Sequence, residues 1–196
     1  MYIVFEGIDT AGKSTQVALL QDKLSNALTT KEPGGTPFGM TIREIVLHDE
    51  SLDHLTELLL FLADRREHFV KVVQPALQKG QTLISDRSFI SGVAYALSNQ
   101  SLSLEELLAL NALTLDDQLP EAVVLFDIPK ETLMERLGAK EIDGIEKRGI
   151  EYLLSVQKSL IEVTKHLNLK HIIVDASQSI ESIHKQIINF IQEEQK

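Results

Sequence analysis

Apolar residues follow two rhythms along this chain. Short, nearly unbroken apolar runs alternate with longer stretches in which apolar and polar positions recur every three or four residues. The first rhythm suits strands buried on both faces, and the second suits amphipathic helices. "YIVFE" (Tyr2 to Glu6) reads as a buried strand, followed by a loop and a helix over about Lys13 to Asn26. "ALTT" (Ala27 to Thr30) predicts a second strand, and the glycine- and proline-rich "EPGGTPFG" (Glu32 to Gly39) a loop. A helix is expected over Thr41 to His48, then a long one from Ser51 towards Leu77, bent or ended near Pro75 because proline cannot donate to the helical ladder. "TLISD" (Thr82 to Asp86) is the third strand, with helices over Ser88–Leu97 and Leu104–Asp116. "AVVLFD" (Ala122 to Asp127) is the fourth, and Pro129 is placed to open a helix. "HIIVD" (His171 to Asp175) is the fifth, followed by a final helix. Five strands joined by helical crossovers predict an α/β fold with a parallel, doubly wound sheet. Residues 137–149, with three glycines among many charges, read as a surface segment.

The loop after the first strand carries the most specific chemistry. In "FEGIDTAGKSTQ", Gly7, Gly12, Lys13 and Ser14 match the pattern G-x-x-x-x-G-K-[ST]. Between a strand and a helix, such a loop turns its backbone N–H groups of residues Ile8, Asp9, Thr10, Ala11 and Thr15 around a phosphate chain. Lys13 then reaches the β- and γ-phosphates, and the Ser14 hydroxyl suits Mg²⁺. This implies ATP and Mg²⁺ as cofactors. Magnesium takes oxygen ligands, so a carboxylate at a neighbouring strand end is expected. Asp86 and Asp127 both end strands. Asp86 is the better candidate because Arg87 follows it, which sets a metal-side carboxylate beside a phosphate-side guanidinium. Glu6 and Asp9 put negative charge at this cradle, which calls for explanation.

Composition narrows the partners. The 196 residues fit one domain, and the 43% hydrophobic and 24% charged content is that of a globular protein. A net charge of −10 argues against non-specific nucleic-acid binding, which needs a basic surface. There is no cysteine, so thiolate metal sites and disulfides are excluded, and a cytoplasmic location is expected. The N-terminus lacks the features of a signal peptide, and the longest apolar run, Leu58 to Ala63, is too short to span a bilayer. No membrane association is expected.

Five segments, in order, resemble the thymidylate kinase family: the loop itself, "TKEPGGTP" (Thr30 to Pro37), "LLLFLADRREH" (Leu58 to His68), "SDRSFISGVAYA" (Ser85 to Ala96) and "LPEAVVLFDIPKE" (Leu119 to Glu131). The resemblance implies a P-loop kinase fold with a five-stranded parallel sheet flanked by helices and a short lid at about 137–149. It implies transfer of the ATP γ-phosphoryl group to dTMP, giving dTDP and ADP, by an ATP-dependent nucleoside monophosphate kinase that is usually a homodimer. By the same resemblance Phe61 stacks on thymine, Arg65 hydrogen-bonds the base, Tyr95 lies by the deoxyribose and resists a 2′-hydroxyl, and Arg43 and Arg87 hold the acceptor phosphate, with Glu32 and Pro33 beside them. Asp9 would lie near the acceptor phosphate and its metal. Arg136 resembles an adenine-stacking arginine. Thr10 stands where some relatives carry an arginine, so Arg136, Lys140 or Arg148 would supply charge to the moving phosphoryl group.

The chain departs from the family pattern at Lys31, Ser88, Gly92 and Glu121. Two other readings compete. A nucleoside kinase would need a carboxylate base beside a hydroxyl, a role open to Glu32 or Asp9. A nucleotide switch or other non-catalytic binding module would use the same loop, but the guanine-reading N-K-x-D motif is missing.

Overall fold

The computed structural model describes residues 1–24, 26–49, 51–99, 102–138 and 148–194. Its centre is a parallel sheet of five strands: β1 (Tyr2–Glu6), β2 (Ala27–Lys31), β3 (Thr82–Asp86), β4 (Ala122–Asp127) and β5 (His171–Asp175). Their order is β2-β3-β1-β4-β5. The first strand is therefore the middle one, and every residue of β1 is buried, its apolar run Tyr2–Phe5 and the terminal Glu6 alike. The chain leaves β1 between β3 and β4, where the winding of the sheet reverses. Such a switch point opens a crevice at the carboxyl ends of the strands. Register aligns those ends: Phe5 and Lys31 both pair with Asp86, and Glu6 pairs with Leu125.

Nine helices flank the sheet among the described residues: α1 (Lys13–Lys23), α2 (Pro37–His48), α3 (His54–His68), α4 (Gln74–Gln78), α5 (Phe89–Ser98), α6 (Leu104–Leu115), α7 (Lys130–Leu137), α8 (Ile150–His166) and α9 (Ile180–Glu194). Helix α1 packs on β1, β2 and β3 and against α9, while α8 rests on β4 and lies along α5. Helix α5 in turn meets α3 and α6, so the residues of α3 reach the crevice from the side.

All five predicted strands form, and the helices differ at their edges. Helix α1 stops at Lys23, short of Asn26. Helix α2 begins at Pro37, inside the segment read as a loop, because Thr36 caps it: the Thr36 hydroxyl accepts from Gly39 N–H, and Pro37 takes the first turn, where its missing donor costs nothing. Pro75 does not end the long helix. Instead Phe69–Val73 make one π-helical turn, in which Gln74 N–H reaches back to Phe69 C=O, and α4 follows directly. The widened turn absorbs the proline. Helix α8 fills residues 150–166, which the strand-by-strand reading left unassigned. Its buried positions Leu153, Val156, Leu160 and Val163 recur with helical spacing.

Candidate active site

The loop between β1 and α1 is shaped by one left-handed residue on each side of its apex, Thr10 (φ 63°) and Gly12 (φ 96°). Gly12 then caps α1. Gly7 is held close: a Cβ there would lie 2.9 Å from the Cβ of Phe126. The Lys13 ammonium donates to the Ile8 carbonyl at 2.9 Å, inside the curl of the loop. Burial and the like charge of Arg87 push the Lys13 pKa down to about 8. Ser14 Oγ donates to Asp86 Oδ2 at 2.6 Å, so a hydroxyl from the first turn of α1 and a carboxylate from the end of β3 share one corner. Asp127, the other strand-ending aspartate, accepts from Gln157 on α8 instead.

That corner fits Mg²⁺ as it is held beside nucleotide phosphates. Its two protein ligands are hard oxygens, and among the described residues no cluster of three or more acidic, histidine or cysteine side chains could cage a metal outright. Magnesium that keeps several waters and shares phosphate oxygens needs no such cage.

Arg87 follows β3 in a left-handed conformation (φ 72°), which is rare for a bulky residue. Its N–H donates to Phe5 C=O, and its own carbonyl accepts from Ser85 Oγ, which together fix the turn. The guanidinium donates to Gly7 C=O at 2.8 Å, to Ser91 Oγ at 3.2 Å and to Asp9 Oδ1 at 2.9 Å. Its Cζ also lies 5.7 Å from the centre of the Tyr95 ring, within cation–π range. The acid inside the phosphate loop is thus an orienting partner for this arginine. Burial works against the Arg87 charge, but Tyr95, Asp9, Asp86 and Glu6 hold it charged far above neutral pH.

Two clefts open on the carboxyl edge of the sheet. One, enclosing about 920 Å³, is lined by the loop (Asp9, Thr10, Gly12, Lys13, Ser14, Thr15) together with Lys31 and Asp86. The other, about 650 Å³, is lined by Pro33, Phe61, Asp64, Arg65, Ser88, Ser91, Gly92 and Tyr95. Asp9, Glu32, Arg43 and Arg87 line both, so the clefts meet at two arginines and two carboxylates.

The second cleft is built for a planar, partly polar guest. Phe61 is half-buried on its wall and outside the hydrophobic core cluster. Arg65 is only 3% exposed, and its charge is answered. Its Nε donates to Glu32 Oε2 at 2.9 Å, and one terminal nitrogen donates to Asn111 Oδ1 at 2.8 Å. The other Glu32 oxygen meets His68 Nδ1 at 2.9 Å, and His68 Nε2 meets Thr30 Oγ1 at 2.6 Å. Burial pushes the Glu32 carboxyl up, but the Arg65 charge and the His68 hydrogen bond outweigh it and hold the pKa below the ordinary value. A Cβ at Gly92 would lie 2.7 Å from a terminal nitrogen of Arg65. The glycine that departs from the family pattern makes room for this guanidinium. Arg43 reaches in from α2 and donates to Pro33 C=O at 3.3 Å.

The structure therefore gathers most of the expected residues: Lys13, Ser14, Asp86, Asp9, Arg87, Arg43, Glu32, Pro33, Phe61, Arg65 and Tyr95 line one continuous crevice. Arg136 lies beside the loop but lines neither cleft; its two terminal nitrogens donate to Thr10 C=O and Ala176 C=O. Arg148 is turned to α3 and α5, where it pairs with Glu57 at 2.7 Å and reaches Asn99 and Tyr152. Lys140 and most of the expected lid lie outside the described residues. Sequence reasoning missed His68, Asn111, Asp64 and Ser91. Asp64 and Ser91 line the second cleft, while His68 and Asn111 lie buried behind it as partners of Glu32 and Arg65, and nothing local in the sequence distinguishes the four from core polar residues.

A phosphate loop at the switch point of a parallel sheet, with a second arginine-rimmed cleft facing it, defines an ATP-dependent nucleoside monophosphate kinase. The thymidylate kinase family model matches residues 5–187. The chain is similar to the thymidylate kinases of Sulfurovum sp. (50% identical over 191 residues, 97% of this chain and 99% of the relative) and Sulfurimonas denitrificans (49% over 191 residues, 97% and 99%). It also superposes on the crystal structure of thymidylate kinase from Ehrlichia chaffeensis with a TM-score of 0.79, at 29% identity over 97% of this chain and 98% of that one. The chain belongs to the thymidylate kinase family.

Proposed function

We propose that this chain, as one kinase domain, transfers the γ-phosphoryl group of ATP to dTMP, giving dTDP and ADP. The observation that carries the reading is the meeting of the two clefts at Arg43 and Arg87. ATP phosphates belong in the loop, where Lys13 and the backbone N–H groups answer their charge. Ser14 and Asp86 hold Mg²⁺, which neutralises charge on the phosphates when bound. In the facing cleft thymine stacks on Phe61 and meets the Arg65 edge, the sugar lies against Tyr95, and the acceptor phosphate sits between Arg43 and Arg87. The nucleophile is a phosphate oxygen whose second pKa is about 6, so it is ionised at neutral pH and needs no general base. Positioning and charge neutralisation then carry the catalysis.

This separates the reading from a nucleoside kinase. The carboxylates open to a base role are already committed, Glu32 to Arg65 and His68 and Asp9 to Arg87. Arg136 offers its planar face to the adenine, since its terminal nitrogens are spent on carbonyls. The protein works as a homodimer in the cytoplasm, with no nucleic-acid or membrane partner. Met40, Ile45, Leu55 and Leu59 support the dimer, being exposed apolar residues on α2 and α3, which pack side by side. No helix among the described residues is long and apolar enough to cross a membrane. The test is ADP release, with ATP and Mg²⁺, across a panel of nucleoside monophosphates and nucleosides. Turnover with dTMP and none with thymidine is expected; consumption of thymidine in its place overturns the reading. Sedimentation of the purified protein tests the dimer.

A further inference from the structure

Glu6 ends the central strand directly beneath the point where the two clefts meet. It is fully buried, in a place where an unpaired carboxylate would be costly. Its two oxygens are divided between two serines of the next segment: Oε1 accepts from Ser88 Oγ at 2.6 Å, and Oε2 accepts from Ser91 Oγ at 2.5 Å. Neither serine is idle otherwise. The Ser88 hydroxyl also accepts from Ile90 N–H at the start of α5, and the Ser91 hydroxyl accepts from the Arg87 guanidinium.

A serine hydroxyl has one hydrogen and two lone pairs. With its hydrogen committed to Glu6, Ser91 can present only lone pairs to Arg87. The carboxylate thereby fixes the polarity of a chain that runs from Arg87 through Ser91 to Glu6. Gly7 C=O and Asp9 hold other edges of the same guanidinium, so Ser91 completes a three-sided seat. We propose that Glu6 is a positioning residue for phosphoryl transfer: acting through Ser91, it sets the orientation of Arg87 towards the acceptor phosphate. This rests on the reading of Arg87 as an acceptor-phosphate ligand. It also gives Ser88 a purpose at a position that departs from the family pattern, since a second hydroxyl satisfies the other oxygen of the buried acid.

Glu6→Gln keeps the shape and spoils the polarity. Its amide nitrogen must donate to one serine, which frees that hydroxyl's hydrogen to oppose the Arg87 N–H or leaves a donor unpaired. Steady-state kinetics test this on the purified, intact protein, with Ser91→Ala as a milder second variant should Glu6→Gln fold poorly. The KM for dTMP should rise roughly fivefold or more in each, the loss of about one charge-assisted hydrogen bond, while the KM for ATP stays within about twofold. The double variant should be no worse than the poorer single, because both break the same chain. Ser88→Ala, which loosens the start of α5 without touching Arg87, should move the dTMP KM less than Ser91→Ala. An unchanged dTMP KM in Ser91→Ala, multiplying effects in the double variant, or an equal effect of Ser88→Ala overturns the proposal. Arg87→Lys separates this from the underlying reading. If it leaves the dTMP KM unchanged, the phosphate role itself fails. If it raises that KM while Glu6 and Ser91 variants do not, only the positioning role fails.

Discussion

Arg65 and Gly92 show how a single missing side chain can set a binding wall. The guanidinium lies within 2.7 Å of where a Cβ on Gly92 would be, and it is held there by Glu32 and Asn111. Gly92→Ala should therefore displace Arg65 and raise the KM for dTMP several-fold, on the order of 1 kcal/mol, with little change in the KM for ATP; kinetics with each substrate varied in turn will check it. Glu6 makes a second prediction at this scale. Burial raises its pKa, the Ser88 and Ser91 hydrogen bonds, Arg87 and Lys13 oppose the rise, and the result is about 7. Above about pH 7 the carboxylate accepts from both serines, and below it the folded protein holds a proton that the unfolded chain releases at a lower pH. The sign follows: this contribution to stability is complete below the ordinary carboxyl pKa and is lost as pH rises through about 7. Relative to Glu6→Gln, the unmodified protein should lose on the order of 3 kcal/mol between about pH 4.5 and 7. Urea unfolding of both proteins across that range measures the difference, and parallel curves would refute it.

At the scale of elements, strands were legible in the sequence and helix limits were not. Short apolar runs rich in β-branched residues, such as "AVVLF" between Pro120-Glu121 and Asp127, read as strands, whereas the leucine-rich run Leu58–Ala63 belongs to a helix. The start of α2 was hidden because Gly34, Gly35 and Pro37 look like a loop until Thr36 is seen to cap. The π-turn was hidden because a proline in a helix has several remedies, and tertiary packing chooses among them. The phosphate loop was fully legible, since local spacing alone creates its chemistry. Phe61 and Arg65 were legible only through family resemblance, and His68 and Asn111 not at all. Their roles arise from partners 30 to 50 positions away in the chain, which no local pattern encodes. Helix α3 carries three of these four, and Asp53 caps it by accepting from Leu55 and Thr56 N–H. Asp53→Ala should lower the midpoint of urea unfolding, because two N–H groups at the start of α3 lose their acceptor. It should leave both KM values unchanged, because the cap lies two turns from Phe61.

Across the whole molecule, the sheet acts as a common frame. Strands β1, β2 and β3 end at Glu6, Lys31 and Asp86, within one residue of a common level, and Asp9, Glu32 and Arg87 beyond them form the rim shared by both clefts together with Arg43. Ligands that bridge this rim should stabilise the fold as a unit. At about 100 times its dissociation constant, dTMP should add about 2.7 kcal/mol, which for a chain of this length is roughly 5–10 °C in a thermal melt. Chelation of Mg²⁺ should abolish ADP release while leaving that dTMP-induced shift largely intact, because the expected metal ligands, Ser14 and Asp86, lie on the loop side.

The neutralised state of Arg65 has one more consequence. Its charge is balanced by an anion that is itself buried, whereas Arg43 and Arg87 line the rim shared by the two clefts, and the anion beside Arg87, Asp9, is 32% exposed. Raising the ionic strength should thus erode the grip on the phosphate end of the nucleotide and spare the choice between one pyrimidine and another. A titration of dTMP and dCMP in rising salt would find both weaker, with their ratio nearly constant.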